Sequence, residues 1–192
     1  MVPAWTMPGA AAAPISSPLR MRTVAVLGST GSVGSNTLDV IRSLGDVFRV
    51  VGLAAGSRAD DLARQAREFG VDVVALADRD AAARLRARPD APVEVLEGDD
   101  AARELLERVR PDVVLQATVG AAALGTTLFA LEQGALVALA NKESLVMAGP
   151  LLRETAARHG ATLVPVDSEH SAIFQCLRAG RAHEVERILL TT

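Results

Sequence analysis

Thr23-Val24-Ala25-Val26-Leu27-Gly28-Ser29-Thr30-Gly31-Ser32-Val33-Gly34 is the segment from which the remaining chain can be read. Its short apolar run reads as a buried strand. The three glycines after it have separate physical jobs. Gly28 permits a tight turn, Gly31 lets the backbone approach a pyrophosphate, and Gly34 allows a helix to pack closely on the strand. Leu38 and Ile41 then recur at helical spacing between Ser35 and Ser43, and Phe48 to Ala54 is a second apolar strand. Strand, glycine turn, helix and strand make a βαβ unit. Its helix N-terminus would offer N–H groups and positive dipole to phosphates. The spacing is GxxGxxG rather than GxGxxG, and its placement between strand and helix predicts a dinucleotide site.

The end of the second strand discriminates between cofactors. An NAD site places an acid about 20 residues past the glycines, where it holds the ribose 2′-hydroxyl. Here that place reads Ala54-Ala55-Gly56-Ser57-Arg58. A hydroxyl and a guanidinium suit a 2′-phosphate through charge-assisted hydrogen bonds, so the expectation is NADP(H). Asp60 and Asp61 fall in the first turn of the next helix, where acids are favoured.

Further on, the same alternation continues. Helices are expected over Asp60–Phe69, Asp80–Arg88 (closed by Pro89), a segment capped by Asp99 or Asp100 and running to Arg110, and one capped by Ser144 and running to Arg158. Strands are expected at Val71–Leu76, Val93–Leu96 (at an edge), Val113–Leu115, Leu136–Ala140 and Ala161–Val166. A small-residue loop, Gln116 to Ala123, suits either a flat ligand lying close to the backbone or tight helix–sheet packing. The pattern predicts an α/β chain: a Rossmann-like, doubly wound parallel sheet.

Two strand ends carry chemistry. Of 20 basic residues, all but Lys142 are arginine. A lone lysine suggests a place that wants a compact ammonium donating in three directions. It lies in Asn141-Lys142-Glu143-Ser144, directly off a buried strand. The other end is Val164-Pro165-Val166-Asp167-Ser168-Glu169-His170. In extended backbone Asp167 and Glu169 would point to the same side, and two hard carboxylates suit Mg²⁺ or Mn²⁺. The competing reading is a solvated turn with His170 or Ser171 starting a helix; Ser171–Leu177 is expected to be a short helix with Ile173 and Phe174 inward. Glu186–Leu190 is expected to begin another strand.

Composition sets bounds. The chain has 192 residues, 49% hydrophobic and 22% charged, with a net charge of −3. That is enough apolar material for a large core, and there is no basic tract for a nucleic-acid backbone. A single cysteine, Cys176, excludes an intramolecular disulfide and any cysteine metal cluster and fits a reducing compartment. No apolar run approaches a membrane span. Residues 1–20, rich in Ala, Pro and Ser, are expected to be a disordered tail.

Gly28 to Gly34, Ala140-Asn141-Lys142-Glu143-Ser144-Leu145, and Pro165 to His170 continuing Ser171-Ala172-Ile173-Phe174-Gln175 resemble, in order and spacing, the 1-deoxy-D-xylulose 5-phosphate reductoisomerases. The resemblance runs from about Met21 to Thr192. It implies an NADPH-dependent enzyme needing Mg²⁺, Mn²⁺ or Co²⁺, which isomerises a phosphorylated deoxyketose and reduces the resulting aldehyde to 2-C-methyl-D-erythritol 4-phosphate. Residue by residue it implies that Thr30, Gly31, Ser32 and Val33 contact the pyrophosphate, and Gly56, Ser57 and Arg58 the 2′-phosphate. Asn141 and Glu143 would contact NADPH. Lys142, Ser168 and Glu169 would contact the phosphorylated sugar, with Lys142 and Glu169 catalytic, and Asp167 and Glu169 would be metal ligands.

The domains implied are an NADP-binding Rossmann domain at 21–165 and the truncated start of an α+β catalytic, metal-binding domain at 166–192. A cytoplasmic location and a homodimer of the full-length protein go with them. The family continues past this point with a glycine- and serine-rich loop, a lid, phosphate-binding residues, a third metal carboxylate and a helical domain. The chain is therefore expected to be a fragment with little or no turnover of its own. Two other readings of the residues stand beside this one: an NADP-linked oxidoreductase of the semialdehyde or homoserine dehydrogenase type, with Lys142 as acid, and a non-catalytic NADP-binding module.

Overall fold

The computed structural model describes residues 21–190; the tail expected at 1–20 lies outside the described residues. Seven strands form one parallel sheet: β1 (Arg22–Leu27), β2 (Phe48–Ala55), β3 (Val73–Leu76), β4 (Glu94–Glu97), β5 (Val113–Gln116), β6 (Leu136–Leu139) and β7 (Thr162–Pro165). Their order is β4-β3-β2-β1-β5-β6-β7. Connecting them are α1 (Ser32–Leu44), α2 (Ala59–Phe69), α3 (Arg79–Arg86), α4 (Ala101–Val109), α5 (Ala123–Glu132) and α6 (Lys142–His159), and α7 (Ser168–Arg178) follows β7. The expected doubly wound fold is observed, with β4 at an edge.

The apolar run of β1 is continuous because both faces of the strand are covered. Val24 and Val26 pack into the core shared with Leu38, Ile41, Leu62 and Leu85. Ala25 and Leu27 pack into the opposite core with Leu105, Leu131, Val137 and Leu152. Each fully buried leucine contributes roughly 2–3 kcal/mol over an exposed one. A polar clasp closes the amino end of the sheet. Asp112 Oδ2 accepts from Thr23 N at 2.8 Å and Thr23 Oγ1 at 2.9 Å, and Asp112 N donates to Thr23 Oγ1 at 2.9 Å.

Several local expectations are corrected. Helix α1 starts at Ser32, not Ser35, so the last glycine of the motif is already helical. Asn141, not Ser144, caps α6: its Oδ1 accepts Ser144 N at 2.7 Å. Asp100 stands at the N-cap of α4 without a side-chain cap bond. Helix α6 is kinked at Ala148 (φ −140°, ψ 23°), two residues before Pro150, which supplies no N–H and crowds the preceding turn. Residues 185–190 form no strand and pair with no strand among the described residues. An isolated apolar run has no ladder to join.

Candidate functional site

Sheet order gathers the site. The connection after β1 crosses to β2, whereas that after β5 leads to β6, so the topology switches between the adjacent strands β1 and β5. Ligands of open α/β sheets bind in the crevice at the carboxyl ends of such strands. Every candidate residue lies on that edge. In spatial order come Gly56–Arg58 after β2, Thr30–Val33 after β1, Asn141–Glu143 after β6 and Asp167–Glu169 after β7. At about 4.8 Å per strand, the ends of β2 and β7 stand roughly 19 Å apart.

The glycine turn is built as its spacing predicts. Gly28 has φ +84°, and a Cβ there would lie 2.6 Å from Ala117 O. A Cβ on Gly34 would lie 2.3 Å from Gly28 O and 2.6 Å from Ser29 Cα. Gly31 differs: at φ −76° it is the N-cap of α1, and an added Cβ meets only Gly28 O, at 3.2 Å. That contact is tight, and an alanine there would require the Gly28 carbonyl to give by a few tenths of an ångström. No side chain caps α1, and its first-turn N–H groups have no intrahelical acceptors. That is a cradle for an anion. Ser32 and Val33 are exposed beside it, while Thr30 is buried in the turn.

Gly56, Ser57 and Arg58 are exposed at the end of β2, and Arg58 is the N-cap of α2. The acids that follow are engaged elsewhere: Asp60 pairs with Arg88, and Asp61 with Arg64 at 2.7 Å. No ion pair occupies the Arg58 guanidinium among the described residues.

At the far side, Lys142 and Asp167 line one small cleft with Leu139, Asn141, Leu145, Leu163 and Pro165. Lys142 is exposed on the first turn of α6. Asn141 is only 2% exposed, and its amide is spent inside the protein: Nδ2 donates to Thr118 O at 2.9 Å and Gly120 O at 3.1 Å. The side chain therefore holds the loop after β5 against α6. Glu143 is exposed next to it.

The geometry expected of the two carboxylates is overturned. Asp167 and Glu169 do not share a strand face, because α7 begins at Ser168 and Asp167 is its N-cap. Asp167 Oδ1 accepts from His170 N at 3.0 Å and lies 2.6 Å from His170 Nδ1. A helix begins where a side chain satisfies its first donors, and this one does so earlier than either His170 or Ser171. The Ser168 hydroxyl, then its own backbone N–H, hold the Glu169 carboxyl below its ordinary range, against the charge of Asp167. Glu169 is exposed on the first turn of α7, two residues past Asp167. No group of three metal-ligating side chains occurs among the described residues. Ile173 and Phe174 face inward only in part, and α7 buries no residue fully.

Two buried amides escaped sequence reading. Gln65 on α2 donates to Ser29 O at 2.9 Å, tying the glycine turn to the helix that begins at Arg58. Gln116 ends β5 with no exposure. Each had a signal: Gln116 is a polar residue closing an apolar strand, and Gln65 falls on the helix face of Leu62 and Ala66.

Residues 24–149 match the family model described as 1-deoxy-D-xylulose 5-phosphate reductoisomerase, and residues 163–192 that of its C-terminal domain. The reductoisomerase of Rhodococcus jostii is 55% identical over 173 residues, covering 90% of this chain and 42% of its own length. That of a Geobacillus species is 42% identical over 171 residues, covering 89% and 45%. Among solved structures, the Zymomonas mobilis reductoisomerase in complex with NADPH is 44% identical with a TM-score of 0.77, over 82% of this chain and 41% of that one. A reductoisomerase in complex with NADPH, fosmidomycin and magnesium is 40% identical, TM-score 0.78, over 86% and 41%. The chain spans less than half the length of these relatives. An archaeal homoserine dehydrogenase, 18% identical with a TM-score of 0.53 over 74% and 43%, shares the fold alone.

Proposed function

Since the chain belongs to the 1-deoxy-D-xylulose 5-phosphate reductoisomerase family, we propose that the whole protein isomerises 1-deoxy-D-xylulose 5-phosphate and reduces the product with NADPH to 2-C-methyl-D-erythritol 4-phosphate. Residues 21–165 serve as the NADPH-binding domain, and 166–192 open the catalytic domain. The observation that carries this reading is the row of candidate residues along one sheet edge, an anion cradle and a free guanidinium at one end, a lysine and two carboxylates at the other.

Thr30, Gly31, Ser32 and Val33 receive the pyrophosphate at the end of α1, Thr30 through its backbone. Gly56, Ser57 and Arg58 receive the 2′-phosphate, with Arg58 giving charge-assisted hydrogen bonds. Glu143 contacts the dinucleotide directly, and Asn141 acts on it through the loop it holds. Asp167 and Glu169 fit a hard divalent cation by donor chemistry, one carboxylate at the N-cap and the other on the first turn of α7. Asp167 and Glu169 would hold such a cation, Asp167 being oriented by the hydrogen bond that its Oδ1 accepts from His170 N. Bound Mg²⁺, Mn²⁺ or Co²⁺ supplies Lewis acidity toward the carbonyl and hydroxyl oxygens of the sugar. Ser168 and Glu169 orient the sugar. Lys142, which lines the same cleft as Asp167, places its ammonium where negative charge develops on oxygen.

Two carboxylates leave most of a six-oxygen shell to other donors, so this chain alone turns over substrate poorly or not at all. No described helix is long and apolar enough to cross a membrane. A cytoplasmic location and a homodimer of the whole protein complete the proposal.

The test is a titration of the purified chain with NADPH and NADH, following nicotinamide fluorescence. NADPH should bind saturably and more tightly than NADH. Arg58→Ala should weaken NADPH by about tenfold, as loss of a charge-assisted bond implies, and leave NADH unchanged. Equal affinity for the two cofactors, or no effect of Arg58→Ala, would overturn the assignment.

A further inference from the structure

Gln116, the last residue of β5, has no solvent exposure and uses both ends of its amide. Nε2 donates to Ala123 O at 3.2 Å and to Thr126 Oγ1 at 2.7 Å. Oε1 accepts from Thr118 N at 3.3 Å and from the Thr118 hydroxyl at 2.7 Å. The carbonyl of Thr118 accepts in turn from Asn141 Nδ2. Two buried amides, one from β5 and one following β6, therefore grip a segment that belongs to no helix or strand. Its first residue, Ala117, abuts Gly28 so closely that no Cβ fits between them. Val119, next to Thr118 in this segment, is 88% exposed.

The direction of the dinucleotide follows from the proposed anion sites. Its 2′-phosphate lies at Arg58 beyond β2 and its pyrophosphate at the end of α1 beyond β1. The remaining half must cross the switch point and lie over β5, against this segment. A flat ring there needs an apolar surface held still, because displacement by an ångström at a hydride donor is costly. Burying an amide is favourable only when its hydrogen bonds are made, and Gln116 makes four. We propose that Gln116 is a positioning residue for the nicotinamide half of the bound dinucleotide: it fixes Thr118 so that Val119 presents a stationary apolar face to the ring. This rests on the dinucleotide reading of the site.

Calorimetric titration with two ligands tests it, NADPH and 2′-phospho-ADP-ribose, which lacks the nicotinamide. The unaltered chain should bind both. Gln116→Leu, close in volume but unable to hydrogen-bond, should weaken NADPH about tenfold and change the shortened ligand by less than about twofold. Thr118→Val removes one hydroxyl from a half-buried residue and should act in the same direction, by about threefold; it decides the matter if Gln116→Leu fails to fold. Equal losses for the two ligands would show a general structural role and overturn the proposal, as would no loss for either. If the unaltered chain bound neither ligand, the dinucleotide reading itself would fall, and the role of Gln116 with it.

Discussion

Gly34→Ala and Gly31→Ala separate what the glycine turn does for the fold from what it does for a ligand. At Gly34 the new methyl would sit 2.3 Å from Gly28 O and 2.6 Å from Ser29 Cα, about an ångström inside ordinary contact. Both obstacles are backbone, so no rotamer relieves the clash. Overpacking costs about 1–3 kcal/mol and more against rigid neighbours. Alanine returns about 1 kcal/mol of helix propensity. The steric term wins, for a net loss of roughly 1–2 kcal/mol, or about 2–8 °C in Tm for a domain of this size. The relief must come from α1 sliding away from the turn, so NADPH affinity should fall as well. At Gly31 the backbone is ordinary and the nearest atom is 3.2 Å away. An alanine N-cap in place of glycine costs about 0.5–1 kcal/mol, and the 3.2 Å approach to the Gly28 carbonyl adds a smaller penalty than the 2.3 Å clash at Gly34, so Tm should drop by less than for Gly34→Ala. The methyl is added at the N-cap of α1, beside the proposed anion cradle, and NADPH affinity should fall by more than tenfold. Thermal melts and NADPH titrations of the two variants decide. A Gly34→Ala variant with raised Tm would refute the packing argument, and a Gly31→Ala variant with unchanged NADPH affinity would refute the anion cradle.

Three further outcomes are expected. Asp167→Asn should abolish Mn²⁺ binding, measured by calorimetry on the longer protein, while leaving NADPH affinity in place; loss of NADPH binding instead would contradict its role as a ligand. Asp112→Ala, at the opposite end of the sheet, removes the acceptor of two Thr23 hydrogen bonds and should cost about 1–3 kcal/mol in denaturant unfolding without changing NADPH affinity. The Arg88 guanidinium, by hydrogen bond and charge, holds the Asp90 carboxyl below its ordinary range. Its folded pKa is depressed, so its contribution to stability is present above the unfolded value of ~3.9 and is lost as pH falls below that. The Tm advantage over Asp90→Asn should therefore be seen near neutrality, shrink with added salt, and vanish in strong acid.

Much of the fold was legible because its signals are local. Unbroken apolar runs such as Thr23–Leu27 and Leu136–Ala140 announce strands covered on both faces, and Gly28, Gly31 and Gly34 announce a turn pressed against a helix. The tight turn at Gly28 and the close helix packing at Gly34 also followed from their spacing. Asp167 and Glu169 were harder: a carboxylate that ends a strand and one that caps a helix look alike until the His170 N–H is seen to be the one satisfied. The Glu186–Leu190 run shows the same limit, since strand propensity says nothing about whether a partner edge is available.

By itself the sequence determined the parallel α/β architecture, the glycine turn and the residue types at each strand end, because hydrophobic periodicity and backbone sterics act over a few neighbouring residues. Only the tertiary structure decided which strand ends are neighbours. Residues 28, 58, 117 and 142 come to one edge through the order β2-β1-β5-β6. That order, in turn, let Asn141 and Gln116 reach the same loop from adjacent strands. Hydrogen bonds between residues 23 apart in the chain, as between Asn141 and Thr118, leave no periodic trace in the sequence. They exist because the sheet brings their backbones together.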